Sequence, residues 1–593
     1  MADGPPPHAL PPLSPGWAGP RPVGPQPDSG ACMERNAILA TALVILILMG
    51  YQWYLSRFEA PPPETPRPPA TNGAKGAVAP PPPTPPPAPA APKPAKRPAR
   101  PKGFTPTEPL RVPAREVVVE TPLMRVTFST AGARVTSWQL NKYRVDSGAP
   151  VDLIAVRDPG TAPGALAAWV EPEQIGGVYQ VDRDRLTLTG DQSGTITFTQ
   201  VAASGIELQK RVTFQADRYQ AEVTVAVRNL SGAETAVEPR LVWGPGLRNS
   251  TDKRHTTLQA PTLWLDGKRL QEDVTKLTGE KALTGTLAWA ALQDTYFAAA
   301  LLPKGQGLHA FVARAEGDQP VVGLAGGRQP LAPGAQVTTV AQVFAGPKDL
   351  DVLKGVGQEL DNLVDLGWFG FLARPALWLL KFLHGFTGNY GIAIILVTVL
   401  QKIAFHPLTH KSLKSMQAMQ AIQPKLQALQ ERYKNNPKRR QEEMMTLYRK
   451  HGVNPMGGCL PMVVQIPIFI ALYNALSSSV EMWQARFLWI RDLTQPDALF
   501  TASVWGGYTL SGNLLALLMG VSMWVQQKMS PPAGDPRQAQ MMLWMMPILF
   551  TVMFWGFPSG LVLYWLVNNI LQIGQQWLIT RKPAAPAPAA VEG

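Results

Sequence analysis

The chain has 593 residues, enough for several domains, and its 60 prolines are too many for one compact globule, so part of it must run extended. Its formal charge is +13, and residues 401–451 alone supply +8 of it, with eleven Lys/Arg against three acids. The two cysteines, Cys32 and Cys459, imply no disulfide framework, and no nucleotide-binding loop or metal-ligand cluster is apparent, so neither cofactor nor metal is expected.

Residues 1–32 are rich in Pro and Gly and lack hydrophobic periodicity, so they are expected to be disordered, and "MERNAILA" at Met33 would itself make a sensible start. An apolar run at 37–55, preceded by Arg35, ends in Tyr51, Trp53 and Tyr54 and then Arg57. Aromatics followed by a cation resemble an interfacial belt rather than a cleavage site, so this is expected to be an uncleaved transmembrane anchor with a cytoplasmic N-terminus. The Pro/Ala-rich tract at 56–103 has few backbone donors and should be a semi-rigid, extended linker.

Across 104–350 the period changes. "RLTLTG", "GTITFTQ", "KRVTFQA" and "AEVTVAVRNLSG" alternate apolar and polar residues and end in turn formers, as half-buried antiparallel strands do. A large β-sandwich is expected. Sandwiches of this kind can bind or isomerise sugars, but His255 and His309 stand in no motif with partnered carboxylates. The region reads as a binding or structural module, and no catalytic residue is assigned.

The segment 366–386 is aromatic but interrupted by Arg374, Pro375, Lys381 and His384, which suits an amphipathic helix lying in the membrane interface. Beyond it, 389–580 holds five candidate spans: Asn389–His406, Leu460–Val480, Asn513–Lys528, Met541–Trp555 and Leu561–Ile579. The expected fold is thus a multi-domain membrane protein with six transmembrane α-helices, one anchor plus a five-helix core, and a large β-sandwich outside. The positive-inside rule puts the basic segment 408–451 and both termini in the cytoplasm, and the β-domain in the periplasm. A short disordered tail follows at 581–593.

Within 408–451, Leu413, Met416, Met419, Ile422, Leu426, Leu429 and Tyr433 step by three and four, and "NNP" at 435–437 starts a second helix, giving a basic hairpin. It is either a solvated topogenic loop or a docking surface for nascent chains, ribosomal RNA or anionic lipid, with Lys425, Arg432, Lys434, Lys438, Arg439 and Arg440 as its contacts.

The first core span contains Lys402, one turn beyond Thr398 and next to Gln401. An ammonium in a span is costly and usually functional. The last span carries Tyr564, Asn568, Gln572 and Gln575/Gln576 at helical spacing, and Gln465 stands between prolines in the second core span, Leu460–Val480. Polar stripes on several spans must face each other or water. The amides are either interhelical glue or groove lining, and Lys402 either faces that groove or snorkels to the headgroups near His406.

"NYGIAIILVTVLQKIAFHPLTHKSLKSM", "IQPKLQALQERY", "VNPMGGCLPMVVQIPIFIALYNAL" and "FPSGLVLYWLVNNILQIGQQWLI" resemble the YidC membrane-protein insertases of Gram-negative bacteria, and the resemblance runs from Met33 to about Arg581. It implies a non-enzymatic insertase and chaperone of inner-membrane proteins, working alone or with the Sec translocon. The same resemblance implies nascent chains, lipid, the ribosome and the signal recognition particle pathway as partners, with no role for DNA. It further implies a hydrophilic groove open to the cytoplasm and the lipid, closed toward the periplasm, with Lys402 in it. Together with the polar stripes, the expected groove residues are Lys402, Thr398, Gln401, Gln465, Tyr564, Trp565, Asn568 and Gln572. Many relatives have Arg where this chain has Lys402, and relatives often have a Tyr pair where it has Tyr564–Trp565. The short tail also lacks the long basic extension of some relatives. The rival class, a polytopic transporter or channel with an extracytoplasmic sugar-binding-like domain, would predict repeats and charges on several spans, and neither is found.

Overall fold

The computed structural model describes residues 113–580 apart from 146, 157–163, 172–176, 249–259, 316–317, 454–459, 505–507 and 530–535. The expected anchor at 37–55, the linker at 56–103 and the tail at 581–593 lie outside the described residues, which all belong to one compact unit, Pro106–Gly593.

Alternation in the sequence becomes alternation of faces. Along the strand Ile206–Gln215, Ile206, Leu208, Lys210, Val212 and Phe214 point inward and their neighbours outward. Strand by strand, a nine-stranded sheet runs Lys268–Gln271, Thr262–Leu265, Leu287–Gln293, Phe297–Lys304, Gln336–Pro347, Gln220–Asn229, Ile206–Gln215, Ser193–Val201, Gln180–Val181. Six- and five-stranded sheets accompany it, and all described pairings are antiparallel except Glu116–Glu120 with Arg185–Thr187. Trp138 of the five-stranded sheet meets Phe214 of the nine-stranded (6.0 Å between ring centres) and Trp243 of the six-stranded (5.7 Å), so the three sheets share one core.

Lys210 occupies an inward position with no exposed surface. Its ammonium donates to the carbonyls of Ala133 (2.7 Å) and Leu166, two residues held at left-handed φ of 47° and 53°, and lies 5.6 Å from the centre of the Phe128 ring. Burial lowers its pKa to about 7.

The helices follow in chain order: α1 (Leu350–Val356), α2 (Gly370–Thr387), α3 (Tyr390–Ala404), α4 (His406–Arg432), α5 (Pro437–Lys450), α6 (Leu460–Ser478), α7 (Leu514–Met529), α8 (Pro536–Phe554) and α9 (Ser559–Thr580). Local chemistry sets their starts. Asn389 caps α3 by accepting from the amides of Gly391 and Ile392, Asn513 accepts from Ala516, and Asn436 from Arg439 ahead of α5. The chain bends 65° between α3 and α4, where Pro407 sits in the first turn of α4 and needs no helical donor.

Helices stand at each of the five expected spans, but their dimensions fall short of the expectation. Among the described residues no single helix is long and apolar enough to cross a membrane by itself; the bent pair α3–α4 qualifies jointly, and Val463–Ser478 and Gln540–Phe554 are shorter apolar helices. The reasons are visible: α3 has 15 residues, and the 22 of α9 include five Asn and Gln. A two-stranded hairpin, Phe500–Val504 with Tyr508–Gly512, was not expected between α6 and α7.

The β-domain is joined to the helices by a charged and aromatic seam. Lys381 of α2 contacts Asp349 (3.1 Å) and Asp351 (2.6 Å), just after the last domain strand, and Glu481 (2.7 Å), just after α6. Burial alone would lower its pKa, but the Glu481 and Asp351 carboxylates outweigh that and raise it. Trp483 donates from its indole to the carbonyl of Arg144 (2.9 Å) and lies edge-on to Tyr296 (5.0 Å) and Phe297 (5.4 Å), with the Arg248 guanidinium over its ring. Gly520 lets α7 and α8 approach closely, since a Cβ there would overlap the Thr551 hydroxyl.

Candidate functional site

The last turn of α3 carries Lys402, half-buried, whose ammonium donates to Gln572 Oε1 on α9 at 2.9 Å. Beside it opens a cleft of about 440 Å³ between α3, the start of α4 and α9. Val399, Ile403, Pro407 and Leu571 form apolar walls, and Lys402, His406 and Gln575 supply the polar groups. The α3–α4 bend is what brings His406 to this wall, where His406 Nδ1 and Gln575 Nε2 are 3.5 Å apart. Among the described residues no carboxylate pairs with Lys402. The cleft therefore offers one positive charge, held by a neutral amide, between greasy walls.

One residue deeper on α3, three polar side chains from three helices meet. Gln401 donates to Gln465 Oε1 (3.3 Å), Gln465 donates to the Tyr564 hydroxyl, and that hydroxyl donates to Gln401 Oε1 (3.1 Å). Thr398 is fully buried and donates to the carbonyl of Ile394 in its own helix at 2.7 Å, so it does not extend the cleft inward. Trp565 joins an aromatic cluster with Phe469 (4.9 Å), Phe554 (5.3 Å) and Phe550 (6.0 Å), tying α9 to α6 and α8. Asn568 is half-buried, and its Oδ1 has no hydrogen-bond partner among the described residues.

The structure thus groups Lys402 with Gln572, and Gln401 with Gln465 and Tyr564, while Trp565 and Thr398 serve packing and helix-internal bonds. The polar residues of α9 also divide between two faces. Asn569 donates to Ser522 Oγ (3.1 Å) and Gln576 to the carbonyl of Met529 (2.7 Å), both on α7. The sequence reading missed Asn569 and set Gln576 beside Gln575. Their spacing of seven, two full turns, was the available signal for a second polar face.

The hairpin of α4 and α5 is held by Ile422, Leu426 and Val453, with Met419, Met444, Leu447 and Tyr448 around them. Lys425 Nζ reaches His451 Nε2 at 3.1 Å, and Arg432 and Arg439 flank the Tyr433 ring at 5.9 and 5.7 Å. Lys434, Lys438 and Arg439 are exposed, and Arg440 is half-buried.

Two family descriptions match the chain in series: the YidC periplasmic domain over residues 116–379 and the 60Kd inner membrane protein over 382–585. The membrane protein insertase YidC of Pelobacter propionicus is 38% identical over 493 residues, 81% of this chain and 90% of its own length. That of Syntrophus aciditrophicus is 35% identical over 568 residues, covering 93% of this chain and all of the relative. The chain belongs to the YidC family of membrane protein insertases. A solved structure of an active YidC insertase with its first transmembrane domain resolved is 19% identical, with a TM-score of 0.33, over 78% of this chain and 92% of that one. Membership of the YidC family makes this an inner-membrane protein whose substrates are membrane proteins, and makes the sheet-rich region its periplasmic domain. The cleft beside Lys402 and the basic hairpin both lie within the stretch matched by the 60Kd inner membrane protein description.

Proposed function

We propose that this insertase receives the polar flank of an incoming span in the cleft beside Lys402, while the apolar part of the span partitions into lipid. The observation that carries the reading is the Lys402 ammonium, half-buried among apolar walls and, among the described residues, held by the neutral Gln572 with no carboxylate beside it. A fixed positive charge there lowers the cost of bringing an acidic or polar segment into the bilayer, and no covalent step is needed. Hydrophobic transfer drives release, aided by the membrane potential acting on acidic flanks.

The same reading sets the topology. The anchor at 37–55 and α3, α6, α7, α8 and α9 form six spans, with both termini and the hairpin cytoplasmic and the β-domain periplasmic. The short helices fit a locally thinned bilayer. The concentration of basic residues on 408–451 supports this orientation, and the same charge suits the hairpin to nascent chains emerging from the ribosome, through the signal recognition particle pathway or beside the Sec translocon. Lys425, Arg432, Lys434, Lys438, Arg439 and Arg440 are its docking residues.

The test is insertion of two single-span substrates that differ only in flank charge, normalised to insertase level. Two unit charges about 4 Å apart at an effective dielectric near 20 attract by roughly 4 kcal/mol before desolvation is subtracted. Lys402→Arg keeps insertion of both substrates, and Lys402→Ala impairs the acidic one selectively. Equal defects for both would reduce Lys402 to a helix-end anchor.

A further inference from the structure

Resting on the reading of the Lys402 cleft as the receiving site, we infer that Gln401, Gln465 and Tyr564 are positioning residues that seal its deep end instead of touching substrate. The three form a directed cycle, Gln401 to Gln465 to Tyr564 and back to Gln401, in which every member both donates and accepts. One residue from each of α3, α6 and α9 takes part, so the cycle ties these helices together at a single level. Tyr564 is 1% exposed, and its hydroxyl is occupied on both sides.

The surroundings change character across this level. On one side lie Lys402, Gln572, Gln575 and His406, with the cleft of about 440 Å³. On the other, Ile394, Val397, Leu472 and Leu476 pack with Tyr564 and leave a void of about 10 Å³, about the least that could hold one water. The polar path therefore ends at the cycle. A substrate group could bond there only by breaking it, whereas Lys402 can turn from a neutral amide to an anion without leaving a buried group unpaired. The cycle also behaves as a unit: removing any one member leaves its two partners each short of a bond, while replacing all three by apolar groups leaves none short.

The experiment uses the full chain in liposomes, with Cys32→Ala, Cys459→Ala and Val397→Cys, so that a small water-borne thiol reagent reports solvent behind the seal. Val397 is 7% exposed in the packed half. Gln465→Leu and Tyr564→Phe should each speed labelling by about tenfold, and the double variant no more than either alone. The triple variant Gln401→Leu, Gln465→Leu, Tyr564→Phe should return labelling toward the parent rate. Unchanged labelling in the single variants would overturn the proposal, and so would a triple variant that inserts worse than the singles, the mark of direct substrate contact. Lys402→Ala in parallel separates the two readings. If it shows no flank selectivity, the receiving role of Lys402 fails, while the labelling of the cycle variants still decides the seal.

Discussion

Lys210→Met probes an amine that the β-domain buries with no exposed surface. The gap between the ordinary 10.5 and the folded value of about 7 corresponds to about 5 kcal/mol of protonation free energy. Its sign follows from proton counting. Between about pH 7 and 10.5 the unfolded chain binds the proton and the folded chain does not, so stability rises with pH across that window. Methionine removes this dependence but leaves the carbonyls of Ala133 and Leu166 without their donor, at about 1–3 kcal/mol each. The two effects nearly offset each other near pH 7, where the variant should match the parent within about 1–2 kcal/mol, and the parent should pull ahead as pH rises. Lys348, lowered to about 8 by burial, adds a rise common to both proteins and drops out of the difference. Pulse proteolysis of the detergent-solubilised protein across a urea series, from pH 7 to pH 10, measures the gap. Parallel stability profiles for parent and variant would refute the reasoning.

Trp483→Ala removes the ring that sits against Tyr296, Phe297 and Arg248 and the indole bond to Arg144, at about 3 kcal/mol for a half-buried tryptophan. Hydrogen exchange should quicken at the Tyr296 and Phe297 amides, which the Asp294 carboxylate now holds; unchanged protection there would mean that the seam does not stabilise this turn. Reversing Lys438, Arg439 and Arg440 to Glu should weaken crosslinking to nascent chains, most strongly at low salt, where charge acts over a longer range. Salt-independent, unchanged crosslinking would leave these residues as topology signals alone.

The period-two runs at 194–200, 210–216 and 221–232 fall on strands because one buried face dictates the alternation. Helix starts at Asn389, Asn513 and Pro437 were legible for a local reason, since caps and first-turn prolines act within four residues. The start of α8 was not: it begins at Pro536, five residues before Met541, in a polar stretch that hydropathy passes over. Lys402 could be singled out as an ion in an apolar run, but its partner Gln572 lies 170 residues away, and helix rotation decides that pairing. For the same reason Thr398, placed in the polar stripe by spacing, turned out to bond its own helix. Trp483 carried no local signal, because its socket is assembled from residues 144, 248, 296 and 297.

The two polar faces of α9 bear on how the insertase itself is made. Alone in hydrocarbon, this helix would hold its amides unsatisfied at several kcal/mol each. Asn569, Gln572 and Gln576 find their partners on α3 and α7, which are synthesised earlier. Among the described helices α9 is made after its partners, so it is a poor candidate for unaided partitioning and a good guest for helices already in place. Helix α9 is the kind of segment that an insertase exists to accommodate, and α3 and α7 of the same chain are its host.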